Sequence, residues 1–124
     1  MTYKLAISDT VHFQIKLSLN DSGVKRDFSV WLEANRVSVE TLQANIEEHG
    51  EMKVVDFQRK VCRDNITGWR DQRLVLQDDG APAPFSPEAL DLMFSVPGAV
   101  QVTHGAYLEA ITAAAGPVGR LKNS

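Results

Sequence analysis

The clearest pattern in the chain is an alternation of apolar and polar residues between Val11 and Leu19. Val11, Phe13, Ile15, Leu17 and Leu19 alternate with His12, Gln14, Lys16 and Ser18. A period of two sends the two sets to opposite sides of a strand, so one face is buried. Asn20-Asp21-Ser22-Gly23 follows as a turn, because Asn and Asp bond the local backbone and Gly accepts positive φ. A second alternation puts Arg26, Phe28, Val30 and Leu32 on one side and Asp27, Ser29, Trp31 and Glu33 on the other. Two such runs around a short turn predict a β-hairpin within residues 1–37. Trp31 falls on the polar side, where it either covers a helix or belongs to a contact surface.

Beyond the hairpin the period becomes helical, and residues 38–118 read as a mainly helical region. Ser38 caps a helix whose Leu42 and Ile46 share one face and which stops at Gly50. A second helix is predicted from about Glu51 to Asp64. Val54, Phe57, Val61 and Cys62, followed by Ile66, form its apolar stripe. Gly68 breaks that pattern. Trp69 to Gln77 is expected as a short strand, strongest at Leu74-Val75-Leu76, that extends the hairpin's sheet. Asp78 to Phe85 is a loop whose Pro82 and Pro84 oppose regular pairing. Ser86-Pro87-Glu88 then opens a helix: a hydroxyl cap, a preset φ and a carboxylate at the positive helix end. Leu90, Met93 and Phe94 are its apolar face. Pro97 ends it or starts the last helix, about Gly98 to Ala115, which carries Val100, Tyr107, Leu108 and Ile111. Gly116-Pro117 stops that helix, and residues 119–124 form a flexible basic tail. The fold class is α+β: a hairpin or small three-stranded antiparallel sheet packed with about four helices, in a single domain over 1–124.

Composition narrows the function classes. The chain has 124 residues and a formal net charge of -3. That length builds a core without staples, and the mild acidity disfavours broad nucleic-acid binding. Cys62 is the single cysteine, so there is no internal disulfide. No apolar run approaches the roughly 20 residues of a membrane span. Met1 to Thr10 lacks the layout of a signal peptide. The expected location is the cytoplasm. The glycosylation triplet Asn65-Ile66-Thr67 is then a coincidence.

No motif carries catalysis. His12, His49 and His104 lack the spacing of a helical metal site and read as surface or structural residues. Cys62 lies in an apolar stripe, as an inert buried thiol does. Glu47, Glu48 and Glu51 crowd one helix end, and Asp78-Asp79 sit in a turn, both as solvated charge. Phosphate-cradling, dinucleotide-binding and nucleophile-elbow patterns are absent. The expectation is a non-enzymatic protein with no cofactor, no metal and no catalytic residue. Trp31, Trp69, Phe85, Met93, Phe94 and Tyr107 are apolar enough to build a core or, left outside it, a protein–protein contact. For each residue singly the core is the default. Arg59, Lys60 and Arg63 share the second helix, as a solvated face or one that meets an acidic partner. The candidate partner-binding residues are therefore Trp31, Arg59, Lys60, Arg63, Phe85 and Met93, while Trp69, Phe85 and Tyr107 are expected to anchor the C-terminal helices.

The succession of elements carries a family resemblance. A hairpin is followed by a helix opened by Ser38, then by Gly68-Trp69, Asp79-Gly80, Pro84-Phe85-Ser86-Pro87-Glu88-Ala89-Leu90, Pro97-Gly98 and Ala106-Tyr107-Leu108-Glu109-Ala110. This resembles the small tail assembly chaperones of long-tailed bacteriophages and prophages, most closely from about Phe57 onward. The resemblance implies a cytoplasmic assembly factor that coats the helical tape measure protein and recruits tail tube subunits. It further implies a homo-oligomer, ring or filament, and no dealings with nucleic acid or membrane. The alternative is a prophage tail structural or completion protein retained in the virion. A small regulatory binding protein ranks below both.

Overall fold

The computed structural model describes residues 2–115. It is an α+β fold, with a three-stranded antiparallel sheet in the order β1-β2-β3 and four helices. β1 (Thr10–Asp21) and β2 (Val24–Asn35) form the predicted hairpin in unbroken register, from Thr10 opposite Asn35 to Asp21 opposite Val24. Ser22 and Gly23 make the turn with φ of 54° and 87°, the double left-handed conformation that matches strand twist. Asn20 Oδ1 accepts from the Gly23 N–H at 2.8 Å and fixes it.

The alternation works as read. Val11, Phe13, Ile15 and Leu17 on β1, with Val30, Leu32 and Ala34 on β2, are buried on one side. The distal half differs: Leu19 and Phe28 are only half-buried and Arg26 is exposed. The hairpin is longer than the helical layer beneath it, so its tip projects into solvent. Arg26 lies over the Phe28 ring there, 5.0 Å from its centre, and shields it.

The helices after the first cover the buried side. α1 (Val39–Glu48) begins at Ser38, whose hydroxyl accepts from the Thr41 N–H at 3.1 Å. α2 (Val54–Asn65) starts three residues later than the Glu51 expected from the pattern, after Lys53. α3 (Pro87–Phe94) has the cap read from sequence, with Ser86 Oγ accepting from Ala89 N–H at 3.0 Å. α4 (Ala99–Ile111) follows Gly98, whose φ of 91° turns the chain where Pro97 precedes it. α4 packs on β1 and α2 packs on α4, while α3 fills the space beside both. The buried Leu90, Met93 and Phe94 of α3 meet Val61 and Cys62 of α2 and Val100 and Tyr107 of α4 in one core. Tyr107 ties helix to sheet: its hydroxyl donates to the Asn35 carbonyl at 2.6 Å, and its ring lies 6.0 Å from that of Phe13. The expected stop at Gly116-Pro117 and the tail at 119–124 fall outside the described residues.

Two expectations need correction. The third strand is β3 (Ile66–Arg70), directly after α2, and it ends where the predicted strand was to begin. Asp71 has a φ of 56°, which turns the chain out of the sheet. Residues 75–77 then pair locally with 81–83, through Gln77 N–H to Ala81 C=O at 2.8 Å and Ala83 N–H to Val75 C=O at 3.0 Å. Pro82 sits opposite Leu76 in this small ladder, so the prolines do not prevent pairing. The second correction concerns α1. It has no buried residue, and on the face shared by Leu42 and Ile46 the first is half-buried and the second exposed.

Candidate partner-docking site

The predicted site residues do not converge. Trp31 stands on the outer face of the sheet, away from the helices. The Arg70 guanidinium lies 4.8 Å from its ring centre, in the opposite register position on β3. Gly68 faces Glu33 and brings no side chain, and His12 pairs with Glu33 from the other side at 3.8 Å. The result is a shallow notch of about 100 Å³ between Trp31, Arg70 and His12.

Arg59, Lys60 and Arg63 are on α2, but two of them are answered within the chain. Lys60 reaches Asp64 at 3.0 Å, and Arg63 grips both carboxylate oxygens of Asp91 on α3 at 2.8 and 3.2 Å. Those contacts neutralise much of the face that was to meet an acidic partner. Phe85 is half-buried, edge-on to Trp69 with ring centres 5.4 Å apart. Met93 is 1% exposed and belongs to the core, which removes it from any contact surface. Trp69 anchors the loop before α3 by donating from Nε1 to the Ala83 carbonyl at 3.0 Å.

The exposed apolar surface lies elsewhere. Ile46 near the end of α1 is 57% exposed and Val54 at the start of α2 is 72% exposed, with Met52 between them. With His49 and Phe57 they line an open groove of about 170 Å³. Phe57 is its floor, held between the rings of His49 and His104, whose centres lie 6.3 and 6.4 Å away. Burial lowers the pKa of His104, which favours its neutral ring beside Phe57. The rim is acidic, with Glu47, Glu48 and Glu51 beside Lys53 alone. Pattern reading missed this groove because Val54 and Phe57 share a helical stripe. The stripe is one line on the helix, but the core ends under Phe57 and leaves Val54 beyond it. The signal available in sequence was the cluster of carboxylates next to that stripe.

Cys62 is buried, and desolvation pushes its thiol up to about 12, which fits the inert role expected of it. Asn65 donates from its side chain to the Val61 carbonyl at 2.8 Å, so the amide of the glycosylation triplet is engaged at the helix end. Among the described residues no group of three His, Cys, Asp or Glu side chains is placed to hold a metal ion. No helix among them is long and apolar enough to cross a membrane. Comparison of the chain with known protein families, with characterised proteins and with solved structures finds no match.

Proposed function

We propose that this chain is a non-enzymatic tail assembly chaperone, which holds an amphipathic helix of a tape measure protein in the α1–α2 groove and recruits tail tube subunits. The observation that carries the reading is α1 itself. It is a ten-residue helix with no buried residue. Isolated helices of that length are marginal in water, and its exposed Ile46 adjoins Met52 in the following turn and Val54 at the start of α2. A helix laid into this groove would cover the apolar strip, and basic residues along its flank would meet Glu47, Glu48 and Glu51. A long tape measure offers that surface many times, so weak single contacts add through avidity. The order of motifs from Phe57 to Ala110 supports the same family.

The test begins with gene order: the gene is expected between those of a tail tube protein and a very long tape measure protein. Co-expression with that tape measure protein should keep it soluble and bring both down together. Ile46→Asp with Val54→Asp should weaken capture by about tenfold or more while leaving the melting temperature nearly unchanged, because both side chains are exposed. A gene beside lysis or integrase functions sinks the reading. Recovery of the chain in finished particles favours the retained tail component instead.

A further inference from the structure

Ahead of β1 lies a segment whose pattern the fold does not use. Thr2–Ile7 belongs to no strand of the sheet. Yet Tyr3, Leu5 and Ile7 alternate with Thr2, Lys4 and Ala6, and they are 88%, 74% and 55% exposed. This is the period of a half-buried strand with its apolar half left in water.

The sheet has an edge to receive it. Among the described residues β1 pairs with β2 alone, so its other side is a sheet edge twelve residues long. The two-residue turn makes Asp21 and Val24 a mutually hydrogen-bonded pair. Alternation along an antiparallel ladder then turns the N–H and C=O groups of His12, Gln14, Lys16 and Ser18 outward. A row of outward backbone groups is a template for another strand.

The arm cannot fill the edge of its own chain. Only Ser8 and Asp9 separate it from β1, and folding back would need a two-residue hairpin turn there. Such turns require positive φ and favour Gly or Asn, and neither residue is one. Both carbonyls are also occupied: Arg36 N–H donates to Asp9 C=O at 2.7 Å, and Arg36 Nε donates to Ser8 C=O at 3.1 Å. These bonds hold the root of the arm against the end of β2, and residues 2–7 before it are exposed.

We infer that the Thr2–Ile7 arm of one copy adds as a fourth strand to the β1 edge of a second copy, so that the chain self-associates head to tail. Six residues span about 20 Å of ladder, which fits within the length of β1. With Tyr3, Leu5 and Ile7 on the side of Phe13 and Ile15, the arm widens the buried face, and Lys4 falls on the polar side with Gln14 and Lys16. Each subunit gives an arm and accepts one, which is a heterologous contact. A homo-oligomer is already implied by the family resemblance; the inferred contact, an arm on the β1 edge, rests on surfaces of this chain alone.

The test uses the full chain and light scattering over a concentration series. The wild-type mass should rise above that of a monomer. Leu5→Asp with Ile7→Asp disables the arm, and Gln14→Pro removes one outward N–H from the edge while sparing the ladder to β2. Each should weaken self-association by about tenfold or more with the circular dichroism unchanged. Mixed together, the two variants should form a one-to-one pair and stop, since one keeps its edge and the other its arm. If Gln14→Pro fails to fold, a peptide of residues 2–8 takes its place and should bind the arm variant. A wild-type chain that stays monomeric overturns the inference. So does association that survives the arm variant, or a mixture (or peptide) that does not combine with it.

Discussion

Gln72 is the residue whose role most exceeds anything its sequence position suggests. It is 3% exposed and uses both ends of its amide. Oε1 accepts from the N–H groups of Leu74 and Val75 at 3.0 and 2.8 Å, while Nε2 donates to the carbonyls of Val75 and Ala83 at 2.9 and 3.1 Å. One side chain thus supplies the partners that a neighbouring strand would have given. Leu74-Val75-Leu76 reads as a strand because it is apolar, but only Val75 is buried, and the backbone of this segment bonds to Gln72 and to residues 81–83 rather than to the sheet. Gln72→Leu fills the same space and abandons buried donors, so it should cost about 2–3 kcal/mol in a urea titration. Thr103 is the opposite case. Its hydroxyl is fully buried on α4 and has no hydrogen-bond partner among the described residues. Thr103→Val keeps the shape and removes the unsatisfied oxygen, and should raise stability by up to about 1 kcal/mol in the same titration.

Elements were legible where the local signal was chemical as well as periodic. Ser86-Pro87-Glu88 fixes the start of α3 within one residue because hydroxyl, ring and carboxylate all agree there. The hairpin was equally plain, since its turn residues and both alternations share one register. β3 was misplaced because its five residues, Ile66 to Arg70, contain Thr67 and Gly68 and no alternation to detect. The pairing even shifts register there, with Glu33 opposite Gly68 and Ala34 opposite Ile66, so Thr67 is left over as a bulge. What binds the following loop to the body is Trp69, through its Ala83 bond and its contact with Phe85. Trp69→Ala should cost roughly 3 kcal/mol. It should also raise amide exchange across residues 78–86 while the hairpin stays protected, which hydrogen-exchange mass spectrometry resolves.

At the scale of the whole molecule, the sheet is covered on one side only, and the groups sealed under the helices set its response to pH. Desolvation raises the Cys62 thiol to about 12 and, with the nearby Cys62, the Tyr107 phenol to about 12. Both ordinarily ionise lower, Cys near 9.0 and Tyr near 10.0. In the unfolded chain they therefore lose protons first. Stability is intact below about pH 9 and falls as pH rises toward 12, by at most about 1.4 kcal/mol per pH unit for each group. Tyr107→Phe and Cys62→Ala should each flatten that decline in denaturation curves taken at pH 8, 10 and 11, although Tyr107→Phe also loses its bond to Asn35. The α+β class, the hairpin and the four helices were readable from pattern, and β3 was not. The groove at Ile46, Met52 and Val54 was not, because exposure at the end of an apolar stripe depends on where the layer above it stops.

The projecting end of the hairpin has a practical consequence. Ser22 and Gly23 lie at the far end of β1 from the Thr2–Ile7 segment, with exposed residues on either side. A fluorophore coupled through Ser22→Cys would sit on the exposed turn, clear of the core, and Cys62, sealed from labelling reagents, would not compete for it. The tip is thus a built-in mast for optical measurement. Energy transfer between differently labelled copies would report their spacing as they gather.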